Sequence, residues 1–372
     1  MNKNCKAIFI VTIIIGVIVG CNNNFGSRIL NNGKEIKQVD GLNKEIIQNT
    51  IEKTLNKEFK TKIKSGNLAT DYTIEEAIND IDKLGLNTIN LPVAIDIDSL
   101  SASTMKINNP SKEKAIELLK ALKGRNINVI LEPYPWIQNG SGDETKWKPS
   151  NINEFFTSWK TKVLKPLIDE IAVPYKVDAM IAASNYSSIE QEEEEWCKTI
   201  DYVRKYYNGL VTYKTNWWCT ATWEPKLEAE YGKKLNNKIF SKVDFISIAT
   251  YFELTNDTST VDNIVNSIYS TQIHDREQNV EKEIENFYDT WNKPIFFGEL
   301  GFPITDIPSD NSAVIKINKI EQANCFEAYR RVFENKPWNL GFSVFAIGNH
   351  SEDKHYYPSE ESVKVIKGWY SD

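Results

Sequence analysis

Residues 126–133 read Asn-Ile-Asn-Val-Ile-Leu-Glu-Pro, a predicted strand with three consecutive apolar residues at its centre. An apolar run without alternation is typical of a strand that is buried on both faces, as in a parallel sheet covered by helices. Similar runs recur along the chain, separated by amphipathic or irregular segments. We predict eight strands in all: 59–68, 86–97, 126–133, 177–184, 210–216, 243–251, 294–298 and 340–347.

Helical patterns lie between these strands. Apolar residues at Ile74, Ala77, Ile81 and Leu84 recur at the spacing of one helix face and predict a helix over residues 73–84. Further helices are predicted over 111–123, 151–171, 189–207, 315–334 and 361–369. Eight alternations predict the α/β class and a (β/α)8 TIM barrel, which forms one catalytic-type domain over residues 51–372. A doubly wound open sheet is the rival, but no Gly-x-Gly-x-x-Gly follows the first strand.

The first fifty residues differ from the rest of the chain. Two lysines precede an apolar run over residues 7–20, which has the form of a signal peptide. The run ends in Ile18-Val19-Gly20-Cys21, which resembles the lipobox of bacterial lipoproteins. We therefore expect a signal peptide over 1–20, lipidation at Cys21 and a flexible tether over 21–50. The resemblance implies an extracytoplasmic protein that is lipid-anchored to the bacterial cell membrane; an uncleaved N-terminal anchor is the alternative.

Composition excludes several classes of protein. The chain has 44 Lys and Arg against 51 Asp and Glu, a net charge of −7, so we expect no nucleic-acid partner. Its five Cys and three His residues have no metal-ligand spacing. We expect no metal and no organic cofactor. We also expect the protein to be a monomer.

Polar and aromatic residues cluster where predicted strands end, which is where (β/α)8 barrels carry their function. Aromatic rings stack on the apolar faces of sugars, while carboxylates and amides bind sugar hydroxyls. The pattern therefore predicts a polysaccharide or oligosaccharide ligand. The candidate residues are Glu132, Tyr134, Trp136, Asn185, Asn216, Trp217, Trp218, Tyr251 and Glu299.

Glu299 is the most informative of these residues. It follows the apolar run Ile295-Phe296-Phe297-Gly298, and a carboxylate there is costly to bury unless it faces a polar cavity. The stretch Phe296-Phe297-Gly298-Glu299-Leu300-Gly301-Phe302 resembles the nucleophile strand of retaining glycoside hydrolases, in particular family 113 and more distantly family 5. Weaker matches occur in the same order at 163–167, 177–178, 203–209, 213–217 and 248–254, so the resemblance spans about 73–345.

This resemblance implies an endo-type glycoside hydrolase. It would cleave a β-1,4-linked polysaccharide by a retaining mechanism. The substrate would be a glucan or a mannan, with an exopolysaccharide as one such substrate. Glu299 would be the nucleophile, and Tyr251 would orient it. The substrate-binding residues would be Trp136, Trp217, Trp218, Tyr134, Asn216 and Asn185.

One position departs from the family pattern. The family carries its acid/base Glu at the end of strand 4, where this chain has Ala183-Ser184-Asn185-Tyr186 and so places Asn185. An Asn side chain cannot protonate a leaving oxygen. Three explanations are open: Glu190 or Glu132 supplies the proton, a more distant carboxyl serves an inverting mechanism, or the protein is a non-catalytic carbohydrate-binding surface lipoprotein on a degenerate hydrolase barrel.

Overall fold

Eight parallel strands close into a barrel in the computed structural model, which describes residues 59, 61–304, 317–350 and 354–370. The strands are β1 Ile63–Leu68, β2 Thr88–Ile97, β3 Asn128–Ile137, β4 Ala179–Ser184, β5 Leu210–Asn216, β6 Phe245–Ala249, β7 Ile295–Leu300 and β8 Asn339–Ile347. Each strand pairs with the next, and β1 pairs with both β2 and β8, which closes the sheet. The predicted α/β class and (β/α)8 barrel are confirmed.

Helices follow the strands and cover the outside of the barrel. They are α1 Ile74–Leu84, α2 Asn109–Ala121, α3 Ile152–Ser158, α4 Glu193–Tyr206, α5 Pro225–Leu235, α6 Ile239–Lys242, α7 Val261–Tyr269, α8 Val280–Trp291, α9 Lys319–Phe333 and α10 Glu360–Gly368. After α3 the chain stays helical to Ala172, with wider π-helical turns at Trp159–Leu164 and Ile168–Ala172. A two-residue strand, Lys106–Ile107, pairs antiparallel with β2.

Local signals set the helix ends. The Thr73 hydroxyl accepts a hydrogen bond from the Glu76 N–H and begins α1, and Gly85 ends it in the left-handed conformation at φ 62°. At α2 the cap is Asn108, whose side chain accepts from the Ser111 N–H. The pattern-based start at residue 111 was therefore late by two residues, because the Asn108 side chain satisfies the N–H groups of the first turn.

Two apolar layers hold the barrel together. The half of the barrel interior at the N-terminal ends of the strands is filled by inward-facing side chains of six strands: Ile63, Ile130, Ala179, Ile181, Leu210, Phe245 and Phe296. A larger layer packs the outward-facing strand residues against the helices. The inward-facing apolar side chains occupy the half of the barrel at the N-terminal ends of the strands. Polar side chains at the C-terminal strand ends therefore lie at the mouth of the barrel.

Two strands extend further than the predicted ends. β3 continues to Ile137, because Glu132 to Ile137 pair residue by residue with Pro92 to Ile97 of β2. β7 continues to Leu300, so Glu299 lies within a strand rather than after it. The partner strands supply backbone hydrogen bonds that a sequence pattern does not record. Both extensions bring candidate site residues onto rigid strands.

The predicted signal peptide, tether and Cys21 lie outside the described residues. Among the residues that the structure describes, no helix is both long enough and apolar enough to cross a membrane.

Candidate active site

A buried lysine joins two carboxylates inside the mouth of the barrel. The Lys214 Nζ of β5 lies 2.8 Å from Glu132 Oε1 of β3 and 2.5 Å from Glu299 Oε1 of β7. Burial lowers the pKa of Lys214, but the charges of Glu132 and Glu299 outweigh burial and leave that pKa above its ordinary value. The ammonium group therefore stays charged at neutral pH and faces both carboxyl groups.

Gly298 makes room for this lysine. A Cβ at position 298 would lie 3.0 Å from Lys214 Cδ and only 2.0 Å from Ser247 Oγ. Position 298 therefore faces the lumen where the lysine chain crosses between strands. A side chain here would collide with Ser247 and crowd the lysine, so the glycine next to Glu299 leaves room for the ion pair.

The Gly298→Ala variant is expected to unfold at lower denaturant concentration, with a loss of about 1–3 kcal/mol from overpacking. Any activity that uses the Glu299 carboxylate should fall as well, because the added Cβ crowds the Lys214 side chain that contacts this carboxylate. Urea unfolding and initial rates measure the two effects. Adding Ser247→Ala removes the nearest clashing atom, an oxygen without a hydrogen-bond partner, and should recover part of both. Equal stability of Gly298→Ala and the native protein would contradict this role.

Glu299 has two further polar neighbours. Asn185 Nδ2 donates to Glu299 Oε1 at 3.3 Å, and the Tyr251 side chain hydrogen-bonds to the same carboxylate. Asn185 adopts φ 63°, which Asn tolerates well, and its N–H donates to the Lys214 carbonyl. Burial and the charge of Glu299 raise the pKa of Tyr251 well above its ordinary value. Tyr251 is therefore a neutral donor to the carboxylate across the physiological range.

Glu132 is held by donors on both oxygens. Its Oε1 faces Lys214, and its Oε2 accepts from Asn90 Nδ2 at 2.6 Å. Asn90 also donates to Asn67, which in turn donates to the Gly298 carbonyl at 2.9 Å. Both of its oxygens are thus directed at donors of the protein itself. Glu132 is thus placed to balance the lysine charge rather than to protonate a sugar oxygen.

Glu190 lies in a different environment. Its carboxylate accepts from the Thr215 hydroxyl at 2.6 Å and from Lys234 Nζ at 2.7 Å. Thr215 follows Lys214 on β5, so its side chain points to the opposite face of the strand, away from the lumen. The structure therefore does not bring Glu190 to Glu299, because the barrel wall stands between them.

The predicted aromatic residues divide into two groups. Tyr134, Trp136 and Trp217 are half-buried at their strand ends, and Trp217 borders a cavity of about 310 Å³ that Tyr251 also lines. Asn216, Trp217 and Trp218 line a second cavity, of about 500 Å³.

Trp218 is different, because it is buried. Its ring stacks on Tyr231 with 5.7 Å between centroids, and its Nε1 donates to Glu283 at 2.7 Å. The ring that was expected to stack on sugar is instead packed against protein.

The end of β4 supplies no carboxyl group. Tyr186, which follows Asn185, is fully buried against the rings of Trp147, Trp159 and Trp196. The structure brings another carboxyl close by, Glu144, in the connection between β3 and α3. Burial and the charge of Glu299 raise the pKa of Glu144. The sequence analysis missed Glu144 and Lys214, since neither a polar loop nor one lysine in a strand signals a site.

Within the described residues, no group of three or more His, Cys, Asp or Glu side chains could hold a metal ion.

A carboxylate on the seventh strand of a (β/α)8 barrel, beside an amide from the fourth, places the chain among barrel glycoside hydrolases. The chain belongs to glycoside hydrolase family 113, whose model matches residues 57–365. It is therefore a glycoside hydrolase by family, and the resemblance to family 113 is confirmed. A search of curated protein sequences gives no match.

Solved structures of the same fold include family members. A structure described as a GH113 β-1,4-mannanase has 20% identity and a TM-score of 0.61, and the match covers 83% of this chain and 99% of that one. The GH113 β-mannanase AaManA from Alicyclobacillus acidocaldarius has 16% identity and a TM-score of 0.63, with 83% and 97% covered. A β-glucuronidase from Ruminococcus gnavus has 12% identity and a TM-score of 0.55, with 83% and 49% covered. At these identities the likeness shows the fold.

Proposed function

We propose that the protein is an endo-acting, retaining glycoside hydrolase that cleaves a β-1,4-linked mannan-type polysaccharide, with Glu299 as the nucleophile. The observation that carries the proposal is the Glu299 carboxylate, held at the mouth of the barrel by Lys214 and Asn185. Family membership supports a glycosidic substrate. The β-1,4-mannanase structures of the same fold favour mannan over glucan.

The contacts of Glu299 suit a covalent mechanism. In a retaining hydrolase the carboxylate attacks the anomeric carbon, the glycosidic C–O bond breaks and the leaving oxygen takes a proton. Water then displaces the carboxylate, and two inversions restore the starting configuration. The Lys214 ammonium lies 2.5 Å from Glu299 Oε1, while the neutral Tyr251 hydroxyl donates to the carboxylate and fixes its orientation.

Residues on several strand ends would bind the sugar chain. Tyr134 and Trp136 stand at the end of β3, and Asn216 and Trp217 at the end of β5, with Asn185 between them on the closed sheet. Separate strand ends offer more than one sugar subsite, which supports internal cleavage of a polymer. Trp218 is left out of this set because its ring is buried.

Hydrolysis of defined polymers tests this proposal. We expect the full-length protein to release reducing ends from galactomannan or glucomannan faster than from soluble cellulose or xylan. Endo action predicts a rapid fall in viscosity at low release of reducing ends. The anomer formed first, followed by NMR, should be β. If the α anomer forms first, the mechanism is inverting and not retaining. If cellulose is cleaved faster than the mannans, the substrate is a glucan and not a mannan.

A second candidate function is non-catalytic carbohydrate binding, which Asn185 favours because it stands where the family carries its acid/base Glu. Affinity electrophoresis in the same polymers separates the two. Retarded migration without release of reducing ends from any polymer would establish the binding protein and overturn the hydrolase.

We also propose that the protein is an extracytoplasmic, monomeric lipoprotein anchored through Cys21, supported by the charged and apolar residues that precede the lipobox-like Ile18-Val19-Gly20-Cys21. Cys21→Ser should move the protein from the membrane fraction to the soluble fraction of the producing bacterium. Retention of the variant in membranes would favour an uncleaved anchor. Light scattering of the solubilised protein measures its oligomeric state.

A further inference from the structure

We infer that Glu144 is the general acid/base of this enzyme, supplied by the connection after β3 instead of the end of β4. The assignment rests on the proposed hydrolase function. Among the carboxyls around the site, Glu132 and Glu190 each face a lysine ammonium, whereas Glu144 forms no ion pair in the part of the chain that the structure describes. Glu144 is thus the carboxyl at the site that remains available for proton transfer.

The connection that carries Glu144 is held firmly. Glu144 begins the 3₁₀-helix Glu144–Lys146, where the Asp143 carboxylate accepts from the Thr145 N–H at 3.0 Å. The next residue after this turn, Trp147, is fully buried, and its Nε1 donates to the Ala102 carbonyl at 2.9 Å. A capped turn ahead of a buried anchor gives Glu144 a defined position.

The same connection is fastened to the segment that follows β4. Ser188 Oγ donates to the Thr145 carbonyl at 2.8 Å, and the Trp147 ring meets Tyr186 edge-on with 5.3 Å between centroids. The turn that carries Glu144 therefore packs against the segment that follows β4, the region where the family resemblance places the acid/base Glu. The connection after β3 thus supplies the carboxyl group that the end of β4 lacks.

The electrostatics around Glu144 agree with this position. Its carboxyl is half-buried, and it lies close enough to Glu299 for that charge to oppose its ionisation. Burial and the charges of Glu144, Glu299 and Glu132 raise the pKa of Tyr134, so its hydroxyl stays protonated. Burial and a neighbouring negative charge both favour the protonated form, which is the form that an acid catalyst needs at the start of the cycle.

Glu144 gives up a proton in the first step and regains one in the second. As Glu299 bonds to the anomeric carbon, the C–O bond to the leaving sugar breaks and the Glu144 proton passes to that oxygen. In the second step the Glu144 carboxylate takes a proton from water as the water oxygen bonds to the anomeric carbon and Glu299 is released. Glu144 ends protonated, and Glu299 ends ionised.

Glu144→Gln in the full-length protein tests the assignment with two β-mannosides. A mannooligosaccharide has a poor leaving group that needs a proton, whereas 2,4-dinitrophenolate leaves without one. We expect kcat/KM of the variant to fall by about 10²- to 10⁴-fold on the oligosaccharide. On the dinitrophenyl glycoside it should stay within roughly tenfold of the native value, since only the acid-dependent step is lost. Activity on the second substrate also shows that the variant folds.

Azide and pH provide readouts that a structural role would not change. Azide is an anionic nucleophile that needs no general base, so it should speed turnover of the dinitrophenyl glycoside by Glu144→Gln and yield the β-mannosyl azide. The basic limb of the native kcat/KM profile should also be lost in the variant. Glu154→Gln, at an exposed glutamate in the first turn of α3, is the matched control and should behave as the native protein.

Three results would overturn the assignment. Equal losses of kcat/KM on both glycosides would indicate that Glu144 has a structural role. Native rates of Glu144→Gln on both glycosides would show that Glu144 has no role in catalysis. Absence of any azide effect would place the general base elsewhere. If the native protein itself cleaves no glycoside, the proposed hydrolase function fails, and the assignment fails with it.

Discussion

Glu299→Gln is expected to lower kcat for polysaccharide hydrolysis by roughly 10⁴- to 10⁶-fold, the range found when a covalent catalytic group is removed from a hydrolase. The amide preserves the shape of the side chain, but it cannot form the glycosyl ester. Initial rates of reducing-end release measure the loss. Unlike an acid/base variant, this one should be as inactive on a dinitrophenyl β-glycoside as on the polymer, because both need the nucleophile.

The covalent intermediate gives an independent measurement. A 2-fluoro mannosyl fluoride should label the native protein, and peptide mass spectrometry should find the label on Glu299. Glu190→Gln makes the same chemical change at a carboxylate that faces Thr215 and Lys234, and it should keep both labelling and activity per folded molecule. A label on another residue, or an active Glu299→Gln variant, would remove Glu299 from the nucleophile role.

Lys214→Met is expected to lower the free energy of unfolding by about 3–5 kcal/mol, since it leaves two buried carboxylates without their shared cation. Hydrolysis should fall too, because repulsion between Glu132 and Glu299 opposes the ionised nucleophile. Urea unfolding at neutral pH gives the stability, and rates per folded molecule give the activity. Adding Glu132→Gln to Lys214→Met removes one of the stranded charges and should restore part of the stability.

Lys234→Met is the matched control for this prediction. Lys234 is a half-buried lysine that likewise pairs with a buried glutamate, Glu190, but on the outside of the barrel wall. The Lys234→Met variant should be less stable than the native protein, but its rate of hydrolysis per folded molecule should be unchanged. Equal effects of the two variants on the rate would contradict a special role for Lys214.

The pH dependence of stability follows from the raised pKa of Lys214. The lysine contributes its full stabilisation below its unfolded pKa, near 10.5, and loses it as the pH rises through the higher folded value. The native protein should therefore lose stability above about pH 10.5 more steeply than Lys214→Met. Parallel unfolding curves for the two proteins over this range would show that the ion pair does not stabilise the fold.

The barrel could be predicted because its strands are local patterns. Eight apolar runs, such as Val129-Ile130-Leu131, mark segments that need cover on both faces, and the helical spacing between them supplies the cover. Strand ends were less predictable, because partner strands extend β3 to Ile137 and β7 to Leu300 through hydrogen bonds between distant residues.

The amino-acid sequence by itself determined the barrel, the family and Glu299, whose motif of neighbouring residues is read without knowing any contact. Only the tertiary structure decided what surrounds that carboxylate. Closure of the sheet carries Lys214 across the lumen to Glu132 and Glu299, and puts Glu190 behind the wall. Packing of one loop on the next sets the turn that carries Glu144 against the segment that follows β4. These groups are far apart in the chain, and their charges interact only because folding brings them together and removes water.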